Sequence, residues 1–377
     1  MMQLKVFEVP PRIVTGWGSA GKLGDEALQL GKRVLIICSR RLKTSGLVSD
    51  LFDKFEQVGE FAIVHEAQPG ESTIQETERV LQLAERHSID VVVAIGGGSV
   101  LDLGKAVAGL CYPDRLPVRD YFYGEQPSGS GIPWVAVPTT SGSGAEATPN
   151  AVLSDEKHLK QSIRGDWRWL ADLVILDPEL TVNCPPNITA WSGMDALTQA
   201  IESYTAKGAS ELTEPYSLRS AVLLADSLLT AYEQPDNREA RTKAAYGSLL
   251  AGMALANARL GIVHGVAHPI GLHYGIPHGL VCGILLPWAI RFNRTVCEDK
   301  YARLAEAMGI GKSADDLIAW IDHLKEKMEI PVTLSKFGIK REDFPRIVKE
   351  SMPSGSLKAN PRDVTEDDLM AFLEEQF

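Results

Sequence analysis

Cysteine is scarce in this chain and carries no pattern. Cys38, Cys111, Cys184, Cys282 and Cys297 are odd in number, widely spaced, and form no C-x-x-C pair. That argues against a disulfide framework or a cysteine-based zinc module, and suits reduced, mostly buried thiols in a cytoplasmic protein. Positive charge is also in deficit. The 38 Lys and Arg are outnumbered by 49 Asp and Glu, for a net charge of −11. This balance favours solubility and argues against a nucleic-acid or anionic-membrane partner. Long apolar runs are missing too: no stretch stays apolar for the ~18 residues of a membrane span. The opening residues, Met1 to Gly18, mix charges and prolines instead of building a signal-peptide core. No internal repeat or low-complexity tract is evident.

What is present is enough chain, at 377 residues, for two domains with sizeable cores. Residues 3–9 alternate weakly and predict a short strand ended by Pro10 and Pro11. Ser19 to Leu30 predicts a helix. Arg33 to Cys38 is a short apolar run of the kind that forms a buried parallel strand. Leu47 to Val58 reads as a helix, Phe61 to His65 as a strand, Thr73 to His87 as an amphipathic helix, and Ile89 to Ile95 as the clearest strand. Trp134 to Val137 and Leu173 to Leu176 supply later ones. This rhythm implies a doubly wound parallel sheet. From about Pro185 the texture changes to long Ala- and Leu-rich helical stretches: Ile188 to Tyr204, Tyr216 to Tyr232, Arg238 to Ala258 and Val263 to His273. They continue with Val281 to Asn293, Lys300 to Met308, Ala314 to Lys327, Arg341 to Ser351 and Glu366 to Glu374, the last opened by Thr365 and Asp368 in a capping-box-like start. The expected organisation is an α/β dinucleotide-binding domain over 1–180 and an all-α domain over 181–377.

Between the clearest strand and a helix over Val100 to Leu110 lies Gly96-Gly97-Gly98-Ser99, with Asp102 beyond. Glycines let the backbone approach an anion, and the N–H groups at a helix start favour phosphate. The spacing is not G-x-G-x-x-G, and a plain βα turn with Ser99 as N-cap is the competing reading. Pro138 to Glu146, with Thr139 and Thr140, offers hydroxyls and glycines after another strand and before a helix. The strand ending at Cys38 is followed by Ser39, Arg40 and Arg41. The acid that would bind a ribose 2′-OH is missing and two arginines are present, which leans toward NADP(H) over NAD(H).

Of the eight histidines, four lie between Gly261 and Gly279: His264, His268, His273 and His278. His264 and His268 share one helical face, and His278 sits in a Gly-Ile-Pro-His-Gly turn. Neutral imidazole is the commonest metal ligand, although a single such pair is more often structural.

With these pieces in view, the chain resembles the iron-containing (group III) alcohol dehydrogenases from end to end. The matching stretches are Gly96-Gly97-Gly98-Ser99 with Asp102, Pro138-Thr139-Thr140-Ser141-Gly142, Asp177-Pro178, Ser192-Gly193-Met194-Asp195-Ala196-Leu197, His264 to Gly279, and Asn360-Pro361-Arg362. The resemblance implies a dehydroquinate synthase-like architecture, with the active site in a cleft between the α/β and helical domains. It also implies a divalent metal, iron foremost and zinc as an alternative, held by one Asp and three His. Carried over, these are Asp195, His264 and His278, with Gln199 where the family has its first His. Three outcomes stay open there: weak ligation by Gln199, water in its place, or a site without metal; a metal on three strong ligands is favoured. His268 corresponds to the family's extra histidine, a proton carrier or a support beside the metal, while His273 reads as structural or pocket-lining. For the cofactor, the resemblance implies Gly97, Gly98 and Ser99 at the pyrophosphate, Thr139 and Thr140 near phosphates or ribose, Asp102 toward the ribose, and Lys160 facing the cofactor. Ser39 stands where NAD-using members often carry Asp. The expected activity is hydride transfer between NADP(H) or NAD(H) and a small alcohol–aldehyde pair, in a homodimer or larger homo-oligomer. The rivals are a dehydroquinate synthase-like lyase, which Asp195 speaks against, and a nucleotide-binding homologue impaired by Gln199.

Overall fold

The computed structural model describes residues 6–156 and 159–376. Residues 3–5 of the expected first strand lie outside them, and the described residues 6–10 form no strand. The chain divides into two compact units. One comprises residues 8–140 and 145–181 as far as they are described; the other holds 141–144 and 182–376, joined by Val6 and Phe7.

In the α/β unit the strands are β1 (Ile13–Thr15), β2 (Arg33–Ser39), β3 (Phe61–Ala67), β4 (Val91–Gly96), β5 (Trp134–Pro138), β6 (Asn150–Ser154), β7 (Lys160–Arg164) and β8 (Leu173–Leu176). Six of them form one parallel sheet in the order β1-β8-β5-β4-β2-β3. The helices of this unit are α1 (Leu23–Leu30), α2 (Arg40–Lys43), α3 (Gly46–Gln57), α4 (Ile74–Arg86), α5 (Gly98–Leu110) and α6 (Val118–Phe122). Alternate residues Val34, Ile36, Val91, Val93 and Ile95 pack on Leu23 and Ala27 of α1 and Leu51 and Phe55 of α3. The intervening ones are equally buried. Both faces of the sheet are therefore covered, which is why its strands read as unbroken apolar runs. A Cβ on Gly104 would lie 2.5 Å from that of Ala94, so the glycine lets α5 lie close on β4. The chain runs outward from β2 to β3 and from β4 to β5, so the winding reverses between β2 and β4. Ligands of open α/β sheets bind outside the carboxyl ends of the strands at such a point.

Three details differ from the sequence expectation. Strand β1 was not expected, nor was the antiparallel pair β6–β7. The stretch after β5 leads into a single 3-10 turn (Ala145–Ala147) and that hairpin, not into an α-helix. The hairpin is tied to α5 by a buried lysine: Lys105 Nζ donates to Asn150 O (2.7 Å), Thr148 Oγ1 (2.9 Å) and Asp102 Oδ1 (3.3 Å).

The second unit is all-helical: α7 (Pro186–Thr205), α8 (Glu214–Glu233), α9 (Arg238–Ala258), α10 (Ile262–Tyr274), α11 (His278–Ala307), α12 (Ala314–Lys327), α13 (Phe344–Ser351), α14 (Gly355–Ala359) and α15 (Glu366–Glu375). Asn237 and Ser313 cap α9 and α12 by accepting from Ala240 N and Asp316 N, and Thr365 with Asp368 closes a capping box on α15. The expected break between residues 293 and 300 does not occur. Nothing between those positions is a Gly or Pro, and Arg294 pairs with Glu298 across one turn (2.6 Å), so α11 runs unbroken for 30 residues. By length and composition α11 meets the requirement for a membrane span, but 72% of its apolar window is buried inside the protein, the position of a core helix.

Burial pushes the Glu146 carboxyl, near Lys105 and Asp102, from 4.5 up to about 7. The folded state then binds the proton more tightly than the unfolded chain, so this stabilising contribution is complete below pH ~4.5 and is lost as pH rises through ~7. Glu146→Gln removes the titration. Its gain in stability over the parent should be larger at pH 8 than at pH 5.5, by about 2 kcal/mol at most. Thermal unfolding at the two pH values checks this.

Candidate metal centre and nucleotide cradle

In the α/β unit, the residues singled out for phosphate converge at the ends of β4 and β5. Gly96 closes β4, Gly97 is the N-cap of α5, and Gly98 and Ser99 are its first residues, with no side chain capping the helix. Ser99 is therefore not the N-cap; its carbonyl accepts from Ser72 Oγ (2.6 Å). Thr139 N donates to Gly96 O (2.9 Å), and a Cβ on Gly97 would come within 3.5 Å of Thr140 Oγ1. The glycine turn and the threonine loop thus lie side by side, with the first N–H groups of α5 open to an anion.

The other cofactor candidates are engaged within the protein. Asp102, expected toward a ribose, accepts from Lys105 Nζ through Oδ1 and from Val152 N through Oδ2 (3.2 Å), fastening β6 to α5. Lys160 pairs with Glu71 (2.9 Å). Ser39 ends β2, on one side of the reversal point. The exposed Arg40 lies 3.9 Å from Glu66, which also holds Lys43 at 3.2 Å.

In the helical unit, α7 carries Asp195, Gln199 and Glu202 at steps of four and three, on one buried face. His264 is the third residue of α10, which leaves α9 at a 106° bend. Two side chains satisfy the free N–H groups of that helix start. Asn360 Oδ1 accepts from Ile262 N (3.1 Å), and Glu202 Oε1 accepts from Val263 N (2.7 Å). Glu202 Oε2 also receives His264 Nδ1 at 2.7 Å, which turns Nε2 toward Asp195 Oδ1, 3.3 Å away. The arrangement leaves no room for a side chain at Gly261, whose Cβ would stand 2.9 Å from both Glu202 Oε1 and Asn360 Oδ1.

His278 opens α11 with Nε2 3.7 Å from Asp195 Oδ1. One turn later the Cys282 thiol stands 3.6 Å from His278 Nε2 and 3.9 Å from His264 Nε2. Donor atoms of Asp195, His264, His278 and Cys282 all lie within 4.8 Å of one another. Gly279 makes this convergence possible: a Cβ there would be 2.2 Å from Trp191 O and 3.2 Å from Asp195 Cβ. Gln199 donates Nε2 to Asp195 Oδ2 (3.1 Å) and Ser143 O (3.3 Å), while its Oε1 is buried without a partner. The His268 ring stacks on His278 with centroids 4.8 Å apart. His273 points elsewhere and pairs with Glu350 at 2.6 Å.

Burial alone would lower the His264 pKa, but Cys282, Asp195 and Glu202 outweigh it and hold the imidazole well above its ordinary 6.5. Burial pushes the Cys282 thiol up to about 12, with Asp195 and Glu202 adding to the rise. A carboxylate, two imidazoles and a thiol around one point are a donor set for a divalent cation, and the carboxylate behind His264 is how such a ligand is oriented. Glu202 and Cys282 escaped the sequence reading. Their signals were spacing: Glu202 lies seven residues after Asp195 on one helix face, and Cys282 four after His278.

A glycine cradle at a reversal point in the α/β unit and a cluster of metal-binding side chains in the helical unit suit a nucleotide-dependent oxidoreductase. Comparison with known proteins makes the class specific. The family description "Iron-containing alcohol dehydrogenase" matches residues 10–178, and "Fe-containing alcohol dehydrogenase family, C-terminal" matches residues 189–377. The NAD-dependent methanol dehydrogenase of Bacillus methanolicus is 31% identical over 97% of this chain and 98% of its own. The 1,3-propanediol dehydrogenase of Klebsiella pneumoniae is 33% identical over all of both chains. The crystal structure of a sulfoacetaldehyde reductase from Bifidobacterium kashiwanohense in complex with NAD+ superposes with a TM-score of 0.91, at 29% identity and 99% coverage of each chain. The chain belongs to the iron-containing alcohol dehydrogenase family, and is an oxidoreductase acting on CH–OH groups.

The contact at Gly279 yields a test. Gly279→Ala forces α11 off α7 and should cost about 1–3 kcal/mol of stability by overpacking. It should also weaken cation binding, because His278 moves away from Asp195. Denaturant unfolding and metal titration measure the two effects, and an unchanged variant in both would refute the packing argument.

Proposed function

We propose that the protein is a metal-dependent, NAD(P)(H)-dependent alcohol dehydrogenase and aldehyde reductase acting on a small alcohol–aldehyde pair. The observation that carries this reading is the convergence of Asp195, His264 and His278 on one buried point. In this reading a bound divalent cation supplies Lewis acidity to the substrate oxygen, and a nicotinamide dinucleotide gives or takes the hydride. Asp195, His264 and His278 hold the cation. Glu202 keeps the His264 Nδ1 proton and so leaves Nε2 as the donor. His268, stacked on His278, carries the proton to and from solvent. Gly97, Gly98 and Ser99 take the pyrophosphate on the N–H groups of α5, with Thr139 and Thr140 beside them. Asp102 acts as an anchor for the β6–β7 hairpin.

Relatives of this chain are dehydrogenases across their full length, which disfavours the lyase. The impaired-homologue reading rests on Gln199 alone, and the cluster around it supplies a full donor set without that residue. A cytoplasmic homo-oligomer remains the expected state.

Elemental analysis beside an aldehyde-panel assay of NADPH and NADH oxidation tests the reading. His264→Ala should abolish metal content and turnover together; turnover retained without metal would discard the mechanism. On cofactor choice, the absence of an acid at Ser39 and the presence of Arg40 favour NADP(H). Ser39→Asp should raise the NADH-to-NADPH ratio of kcat/KM at least several-fold, and an unchanged ratio would count against Arg40 as a 2′-phosphate contact.

A further inference from the structure

We propose that Cys282, and not Gln199, is the fourth protein ligand of the cation, making an Asp195–His264–His278–Cys282 set that favours zinc over iron and that the substrate oxygen would join as a fifth donor. The inference rests on the cation site proposed above and concerns which atoms complete it. Zinc lies ~2.0–2.1 Å from imidazole or carboxylate donors and ~2.3 Å from a thiolate, so a tetrahedral shell has edges of about 3.3 Å between N and O and about 3.5 Å between N and S. The cluster already has edges near these values. His264 Nε2 to Asp195 Oδ1 is 3.3 Å, His278 Nε2 to Asp195 Oδ1 is 3.7 Å, and Cys282 Sγ is 3.6 and 3.9 Å from the two imidazole nitrogens. All four donor atoms lie within 4.8 Å of one another, so a cation entering the cluster would draw together those that stand farther apart.

Gln199 is arranged for a different task. Its Nε2 donates to Asp195 Oδ2 and to Ser143 O, both of which are acceptors. Its Oε1 is buried without a partner, and exchanging the two ends of the amide to bring that oxygen to the place Nε2 holds would set it against those two oxygens and lose both hydrogen bonds. As it stands, Gln199 fixes one carboxylate oxygen and leaves Oδ1, the atom facing both imidazoles, for the cation. Cys282 is 0% exposed, belongs to the packed core of the helical unit and lies on the same face of α11 as His278, which holds its thiol beside the two imidazoles. The charges agree as well. One carboxylate and one thiolate neutralise a dication in a buried site, where an uncompensated charge is costly. The sulfur donor shifts preference from iron toward zinc, the softer partner of thiolates.

The test uses the full-length protein stripped with a chelator and reloaded with Co2+, a spectroscopic substitute for Zn2+. Wild type should show the near-ultraviolet sulfur-to-cobalt charge-transfer band, Gln199→Ala should keep it, and Cys282→Ser should lose it while the visible ligand-field bands persist. X-ray absorption of the zinc-loaded wild type should find one sulfur at about 2.3 Å; this measurement needs no variant to fold. The Zn2+-to-Fe2+ affinity ratio, measured anaerobically, should fall about 10-fold or more in Cys282→Ser. Cobalt bound without a sulfur band, or zinc without a sulfur neighbour, overturns the role of Cys282 and leaves the proposed function standing. No cobalt or zinc bound by wild type overturns the cation site itself. An unchanged affinity ratio in Cys282→Ser overturns the zinc preference.

Discussion

The helical unit depends on one buried carboxylate. Glu202 is almost fully removed from solvent, yet it joins α7 to the start of α10 by accepting from Val263 N and from His264 Nδ1, each at 2.7 Å. Burying a carboxylate is unfavourable unless it is paired and hydrogen-bonded. Here an imidazole and the positive end of a helix supply that compensation. Removing either would leave one carboxylate oxygen unsatisfied, so Glu202 fixes both where α10 begins and how the His264 ring is turned. The orientation of His264 is thus a property of the fold and does not wait for a bound ion.

Two close backbone approaches complete that placement. Gly261 lets the α10 start settle against Glu202 and Asn360, and Gly279 lets the α11 start settle against Trp191 and Asp195. Asn360 then links the pieces: it accepts from Ile262 N, exchanges hydrogen bonds with Asn293 of α11, and donates to Arg362 O. Every candidate ligand therefore sits on a helix, in its interior or first turn, and none on a free loop. Side chains carried on helices are held more precisely than side chains on loops.

Much of this was legible in the sequence because the signals were local. Apolar runs such as Val91–Gly96 announce a strand covered on both faces, and Arg238–Ala258 and Ala314–Lys327 announce helices whose limits coincide with their caps. The α11 helix was misread because a polar stretch looks like a loop until Arg294 and Glu298 are seen to pair along it. The β6–β7 hairpin was missed because its anchor, Lys105, is more than forty residues distant from Asn150 in sequence and reads as a helix-surface lysine. In the site, the Asp195–Gln199 spacing was readable, but Cys282 was not. Cysteines were weighed by their number and mutual spacing, whereas this thiol matters through its single turn from His278. That spacing gains meaning only once α11 is packed against α7 and α10, which bring Asp195 and His264 to the same point.

Gln199 follows from the same packing. A neutral amide at a family histidine position looks, in sequence, like the loss of a ligand. In the structure it sits between Asp195 Oδ2 and Ser143 O, where an imidazole has one ring proton to offer and an amide has two. The glutamine can therefore hold the carboxylate and the Ser143–Gly144 turn together, a turn pressed so closely on Gly252 that neither glycine there could carry a side chain. On the proposed reading, position 199 shapes the Asp195 carboxylate and does not itself hold the cation. Such a change is tolerable only where another donor stands within reach, and Cys282 is the side chain that α11 brings there.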